Sequence, residues 1–142
     1  AFMNLGAFGI LSLLEKEETN LTYDDYSGLA KREPAIAAFM SIFMFSLAGI
    51  PPFAGFFGKY YVFVSAIDAG YTWLAILGVL MSLVSVYYYL KLVVVMYFQE
   101  GLSESTPDIS IGSYLVIILS LAAITLLGIF PNSLLFIITA FK

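Results

Sequence analysis

Long apolar blocks separated by short polar stretches dominate the pattern of the chain. Residues 1–14 and 35–67 are apolar except for Lys59, and residues 71–98 are apolar except for Lys91. Apolar runs of this length predict helices, and the polar runs between them predict loops. The helices are predicted at 1–14, 35–67, 71–98 and 109–130, and the loops at 15–34, 68–70 and 99–108.

The composition decides what surrounds these helices. Of 142 residues, 61% are hydrophobic and 11% are charged, and the mean hydropathy is +0.97. A soluble domain carries about a quarter charged residues, so this chain has too few charges to cover a globule with a wet surface. The prediction is an all-α, polytopic transmembrane helix bundle. The first helix would extend only about 21 Å, so we expect it to be the end of a longer one.

The residue types that are absent limit the chemistry. The sequence contains no Cys and no His. Haem, iron–sulfur clusters and structural zinc depend on those ligands, and so do disulfides and histidine-based catalysis. We therefore predict no metal site and no bound cofactor on this chain, and we expect any redox group to lie on another subunit.

The segment 35–67 is too long for one straight span. As a continuous helix it would reach about 50 Å, against roughly 30 Å of hydrocarbon. It contains Gly49, Pro51, Pro52 and Gly55, and proline both lacks a backbone N–H and clashes with the preceding helical turn. The sequence thus predicts a discontinuous helix, broken at 49–55. Such breaks are tolerated in membranes where they are buried in protein or line a wet cavity.

Lys59 is the candidate for chemistry. It precedes the end of its segment by eight residues, about 12 Å of helix, which places it near the membrane midplane. An ionised lysine at that depth costs roughly 2.5–3.5 kcal/mol, and burial favours its neutral form. A lysine there can carry protons. The alternative is a structural ion pair with a carboxylate of another helix.

Lys91 and one face of the predicted 71–98 helix have two interpretations each. Lys91 lies seven residues before the end of its helix, so its side chain can reach the lipid headgroups as an anchor; a place in a proton path is the alternative. Small and hydroxyl-bearing residues at helical spacing favour close helix packing, and a water chain is the alternative there. The face consists of Gly78, Ser82, Ser85 and Tyr89.

Basic residues predict the orientation. The first loop contains Lys16, Lys31 and Arg32, Lys91 lies near the third loop, and the 68–70 turn has no basic residue. The excess of Lys and Arg on cytoplasmic loops places the first and third loops inside and the 68–70 turn outside.

Several segments resemble a known family. Residues 46–60 (SLAGIPPFAGFFGKY) are similar to the discontinuous twelfth helix of the antiporter-like subunits of respiratory complex I. Residues 2–9 resemble the eleventh helix of those subunits. Within the family, residues 26–29 and 85–91 are most similar to the subunit N branch of NADH–quinone oxidoreductase. The likeness extends over nearly all of the chain.

The resemblance implies the following. The chain would be the C-terminal third of a fourteen-helix, proton-translocating subunit, and Lys59 would be the proton relay of its outward half-channel. The candidates for a secondary proton path all lie in the matching segments: Tyr60, Ser85, Tyr87 and Lys91. The chain would have no redox site of its own. NADH, FMN, iron–sulfur clusters and quinone would bind other subunits of the enzyme.

The expected partners are the other membrane subunits of complex I, the lipid bilayer, protons and water, with no nucleic acid. The expected location is a bacterial inner membrane, crossed several times, with an organelle inner membrane as the alternative. Two other functions remain open. One is a subunit of a cation/proton antiporter or membrane-bound hydrogenase, and the other is a structural helix bundle in which Lys59 only pairs.

Overall fold

All regular elements in the described part of the chain are helical. The computed structural model describes residues 1–14, 22–100 and 111–131. The predicted all-α membrane bundle with a discontinuous helix is confirmed. The elements are α1 (Phe2–Leu14), a 3₁₀ helix (Tyr23–Tyr26), α2 (Leu29–Arg32), α3 (Pro34–Ala48), α4 (Ala54–Asp68), α5 (Thr72–Phe98) and α6 (Ile111–Ile129).

The interruption of the predicted 35–67 helix is shorter than the sequence suggests. α3 ends at Ala48 and α4 begins at Ala54, so residues 49–53 are non-helical. Gly55, which the sequence analysis included in the break, lies instead in the first turn of α4. A glycine is needed there because the backbones of α3 and α4 approach closely, as described below. The break itself contains Gly49, Pro51 and Pro52.

The other boundaries differ slightly from the predicted ones. α3 begins with Pro34, because proline has no N–H to lose in a first helical turn. α4 continues through Asp68, which was predicted to start the outer turn. Residues 22–33, within the predicted loop 15–34, contain two short helical pieces. The remainder of that loop (15–21), residues 101–108 of the third loop and the first two residues of the predicted last helix lie outside the described residues.

The helices pack around one apolar core. α1 lies against α6 and α3, α3 lies against α5, and α4 contacts both α5 and α6. Large side chains from these helices pack closely against one another in this core. The largest fully buried side chains are Ile10, Leu29, Met40, Phe43, Met96, Ile117 and Ile124.

Two described helices are long and apolar enough to cross a membrane alone. They are α5, with a mean hydropathy of 1.9, and α6, with 2.2. α1 and α3 are apolar but shorter. Much of the apolar surface of α5 is exposed, including Trp73 and Met81. Apolar side chains on that surface suit lipid or neighbouring membrane helices and would be costly in water.

The polar segment 22–33 packs against the end of α5. The Ser27 hydroxyl donates to Gln99 Oε1 at 3.2 Å, and Lys31 Nζ lies 3.6 Å from a Glu100 carboxylate oxygen. The second contact is exposed to solvent, so it adds little stability. Together they place this part of the first loop and the end of α5 at the same end of the bundle, as the predicted topology requires.

Local hydrogen bonds hold the same segment in shape. The Thr22 backbone N–H and hydroxyl both donate to Asp25 Oδ2, at 2.7 and 2.8 Å. These bonds stabilise the carboxylate and hold the pKa of Asp25 below its usual value. The Arg32 guanidinium donates to the carbonyl oxygens of Asp25 and Ser27, at 3.0 and 3.1 Å.

Replacing Gly55 by alanine should destabilise the protein, whereas the same change at Gly58 should not. A Cβ at Gly55 would overlap the Ser46 carbonyl oxygen, so α3 and α4 would have to separate. Such overpacking costs about 1–3 kcal/mol. A Cβ at Gly58 meets no atom within 4 Å, and alanine is the better helix former. Thermal unfolding of the two variants in detergent measures the difference; equal midpoints would contradict the close approach at Gly55.

Candidate functional site

α3 ends in a Schellman motif at Gly49. The Gly49 N–H donates to the Ser46 carbonyl and the Ile50 N–H donates to the Phe45 carbonyl, both at 3.0 Å. Gly49 has φ +84°, a left-handed conformation that glycine adopts without strain. Most of the backbone polar groups at the end of α3 are therefore paired.

Ser46 joins the two halves of the broken helix. Its hydroxyl accepts a hydrogen bond from the Gly55 N–H at 3.3 Å and donates to the Met3 sulfur at 2.9 Å. Ser46 is fully buried. The N–H groups of a helix start have no partner within the helix, so this hydroxyl satisfies one of them from across the break and also connects it to α1.

The break is also covered by α6. A Cβ at Gly128 would overlap the Pro52 carbonyl oxygen, so the backbone of α6 lies directly against the non-helical segment. The Phe53 N–H donates to the Ile50 carbonyl at 3.3 Å, and the two prolines have no N–H. One side of the break is thus packed against α6, while Pro51 and Pro52 remain exposed in this chain.

Lys59 reaches back from α4 to the end of α3. Its Nζ donates to the Ala48 carbonyl oxygen at 3.0 Å and to the Ser82 hydroxyl on α5 at 2.8 Å. The aliphatic part of the side chain lies over Gly49, where an added Cβ would be 3.0 Å from Lys59 Cδ. One ammonium group thereby connects α3, α4 and α5.

The Ala48 carbonyl is a suitable partner for a cation. The last carbonyl groups of a helix have no partner within it, and they form the negative end of the helix dipole. A hydrogen bond from an ammonium group to such an oxygen is charge-assisted and stronger than a neutral one. The break therefore supplies an acceptor for Lys59 that a continuous helix would have used internally.

A cleft of about 580 Å³ opens beside Lys59, between α4 and α5. Lys59 is the only charged residue among those that line it. A space of this size, with hydroxyl and ammonium groups on its wall, has room and partners for water molecules. The lining residues are Met3, Ser46, Leu47, Ala54, Gly55, Gly58, Lys59, Val62, Phe63, Gly78, Met81, Ser82, Ser85 and Tyr89.

The structure brings together only some of the residues that the sequence analysis selected. Ser85 lines the cleft, and its hydroxyl donates to the Ser82 carbonyl at 2.7 Å. Tyr60 and Tyr87 lie outside it, with 52% and 65% of their surface exposed. The Tyr60 ring stacks on Phe56, with 6.4 Å between centroids. The hydroxyls of Tyr60 and Tyr87 therefore do not line the cleft next to Lys59.

Lys91 belongs to a different part of the molecule. It is exposed, and its Nζ lies 4.7 Å from the centre of the Tyr23 ring in a cation–π contact. It is nine residues beyond Ser82, about 14 Å along α5. This position at the loop end of the bundle agrees with the anchor interpretation and separates Lys91 from the cleft.

Sequence reasoning missed both partners of Lys59. The Ala48 carbonyl has no signal in the sequence, because any residue supplies a backbone oxygen. Ser82 does have a weak signal: it shares a helical face with Gly78, Ser85 and Tyr89, and that whole face lines the cleft. The preferred interpretation of that face was packing, and it applies to Gly78, where an added Cβ would be 2.6 Å from the Phe63 ring.

The described residues contain no group of three or more His, Cys, Asp or Glu that could hold a metal ion. The polar groups of the cleft are hydroxyls and one amine, which suit water and protons.

A broken membrane helix with an ionisable residue beside it is the arrangement by which membrane transporters build ion sites. The chain belongs to the family described as NADH:quinone oxidoreductase/Mrp antiporter, transmembrane, which matches residues 1–85. This confirms the resemblance to the antiporter-like subunits of complex I.

Individual relatives agree with the subunit N branch. NADH-quinone oxidoreductase subunit N of Trichlorobacter lovleyi is 48% identical over 136 residues, which are 94% of this chain and 28% of that protein. Subunit N of Paramagnetospirillum magneticum is 46% identical, over 89% of this chain and 26% of that protein. The chain thus spans just over a quarter of the length of these relatives, close to the third that the resemblance implies.

A solved structure has the same fold. Respiratory complex I from Thermus thermophilus with bound aureothin contains a chain that superimposes with a TM-score of 0.77 and is 28% identical. The match covers 92% of this chain and 32% of that one. The described helices therefore adopt the arrangement of a complex I membrane subunit.

Replacing Gly49 by alanine should cost more than replacing Gly70. Both glycines have nearly the same left-handed conformation, φ +84° and +83°, so both variants lose about 1–2 kcal/mol to backbone strain. Only at Gly49 does the new Cβ also press on the Lys59 side chain. The midpoints of thermal unfolding of the two variants measure this difference. Equal losses would mean that Lys59 is not held against Gly49.

Proposed function

We propose that this chain is part of a proton-translocating membrane subunit of NADH–quinone oxidoreductase, in which Lys59 relays protons through the outward half-channel. The observation that carries the proposal is the position of Lys59. It is half-buried at a break in a membrane helix, next to a cleft that apolar side chains and several hydroxyl groups line. Among the described residues, its hydrogen-bond partners are the neutral Ala48 carbonyl and Ser82 hydroxyl.

The chemistry of a relay requires both protonation states to be accessible. Charge on a lysine inside the membrane is costly, and a fixed carboxylate partner would hold the proton on it. The Ala48 carbonyl and the Ser82 hydroxyl stabilise the ammonium form without neutralising it. Lys59 can therefore bind a proton when it is supplied and release it to water when the surroundings change.

In this proposal, electron transfer takes place in other subunits of the enzyme. The chain acts as a non-redox subunit of the translocase, and NADH, FMN, iron–sulfur clusters and quinone bind other subunits. Its partners are the other membrane subunits of complex I, the lipid bilayer, protons and water, with no nucleic acid. The relatives named above are bacterial proteins, which supports a bacterial inner membrane as the location.

The alternative function is a subunit of a cation/proton antiporter or a membrane-bound hydrogenase. It draws support from the family description, which includes the Mrp antiporters. The curated relatives named above are NADH-quinone oxidoreductase subunits and favour the first function. A purely structural role does not explain why Lys59 faces a cleft with hydroxyl groups on its wall.

Replacing Lys59 by alanine in the full-length protein should abolish most NADH-driven proton pumping in sealed membrane vesicles while the enzyme remains assembled. Lys59→Arg should also fail, because a guanidinium group does not release its proton in this range. The measurement is the initial rate of proton uptake per NADH oxidised, with the amount of assembled enzyme determined in parallel. Pumping at the wild-type ratio in Lys59→Ala would end the relay role.

Replacing Lys91 by alanine should be the milder change. Lys91 contacts Tyr23 at the loop end of the bundle and lies away from the cleft. Its loss removes an exposed cation–π contact, which contributes about 0.5–1 kcal/mol, and should lower enzyme content more than the protons pumped per NADH. A larger pumping defect than that of Lys59→Ala would instead assign the relay to Lys91.

A further inference from the structure

Two neutral acceptors from different helices share the ammonium group of Lys59. The Ala48 carbonyl at the end of α3 and the Ser82 hydroxyl on α5 accept at 3.0 and 2.8 Å. A protonated lysine has three donors, so these bonds leave one N–H for water in the cleft. The position of Nζ relative to that water space is therefore set by Ala48 and Ser82 together.

The two acceptors differ in what they can do after Lys59 has lost its proton. A carbonyl oxygen only accepts, and it can keep an N–H of the neutral amine. A serine hydroxyl both accepts and donates, so Ser82 can turn its own O–H towards the lone pair of the amine. Both partners can keep an N–H of the neutral amine, but only Ser82 can also donate to its lone pair, so Ser82 has a partner on Nζ whichever way the neutral amine turns.

We propose that Ser82 is the positioning residue of the Lys59 relay: its hydroxyl keeps Nζ at the end of α3 in both protonation states and favours the protonated one. This inference rests on the proposed function and deepens it. A hydrogen bond from a charged donor is roughly twice as strong as a neutral one. Ser82 therefore stabilises protonated Lys59 more than it stabilises neutral Lys59.

The structure fixes Ser82 in place for this role. The Ser85 hydroxyl donates to the Ser82 backbone carbonyl at 2.7 Å. One turn earlier, Gly78 lets the Phe63 ring of α4 approach α5, since an added Cβ there would be 2.6 Å from the ring. This close approach brings the α4 lysine within hydrogen-bonding distance of the α5 hydroxyl.

Few other titratable groups face Lys59 in the described part of the chain. Tyr89 on α5 lines the same cleft and is the only other titratable side chain that does. The cleft residues from α1 and α3 are Met3, Ser46 and Leu47, which do not titrate at working pH, and α6 contributes none. The pH dependence of the relay should therefore respond directly to the loss of the Ser82 hydroxyl.

The test compares Ser82→Ala, Ser82→Cys and Ser82→Thr in the full-length protein within its assembled enzyme. Proton pumping per NADH oxidised is measured in sealed vesicles as a function of pH. Ser82→Ala should move the alkaline limb of the pumping profile to lower pH by about one unit, because protonated Lys59 loses an acceptor. Ser82→Cys keeps the volume but accepts only weakly and should behave like Ser82→Ala.

Two variants separate positioning from packing. Ser82→Thr retains the hydroxyl and should restore the wild-type profile. Ser41→Ala is the matched control, because Ser41 is a buried serine of α3 whose hydroxyl donates to the Ala37 carbonyl, away from the cleft. It should pump with the wild-type pH profile.

The outcomes distinguish this inference from the function on which it rests. An unchanged profile in Ser82→Ala, with Lys59→Ala inactive, would overturn the role of Ser82 and leave the relay standing. A Thr variant that assembles but behaves like Ser82→Ala would also overturn it. Wild-type pumping in Lys59→Ala would remove the proposed function itself.

Discussion

The arrangement of this molecule depends on how the backbone polar groups of residues 49–53 find partners inside a membrane. Lipid offers none, and each unpaired group costs several kcal/mol. The Schellman motif at Gly49 pairs the N–H groups that leave α3, and the Ser46 hydroxyl pairs the Gly55 N–H. The backbone of α6 packs against the Pro52 carbonyl on one side of the break. Because these solutions need three neighbouring helices, the break and the bundle stabilise each other.

One group, the Ala48 carbonyl, is paired by a side chain that can change its charge. Lys59 donates to it from the second turn of α4. The same hydrogen bond therefore pairs the carbonyl at the end of α3 and holds the lysine that is proposed to relay protons. A cation is favoured at the end of α3 by the helix dipole and disfavoured by burial. Lys59 is thus subject to two opposing effects, which is the condition that the proposed relay requires.

Helix packing then decides which groups share the cleft with Lys59. Glycines at 55 and 78 let α4 approach α3 and α5, and the hydroxyl face of α5 turns towards the lysine as a result. Tyr60 and Tyr87 are on other faces of the same helices and remain exposed. Lys91 lies at the polar end of the bundle with Tyr23. Residues that are adjacent in sequence, such as Lys59 and Tyr60, thus lie on different faces of a helix. Residues far apart in the chain, such as Lys59 and Ser82, come into contact.

The sequence by itself determined the membrane fold and the helix break, and it indicated Lys59 as the candidate for chemistry. Each of these follows from local properties: long apolar runs, prolines that cannot continue a helix, and a single charge in an apolar segment. It did not determine that Gly55 belongs to α4, that Ser82 accepts from Lys59, or that the Ala48 carbonyl completes the site. Those features depend on distances between helices, and a backbone oxygen has no residue type to mark it. Only tertiary packing decided them, because side chains on separate helices meet according to how closely the backbones approach.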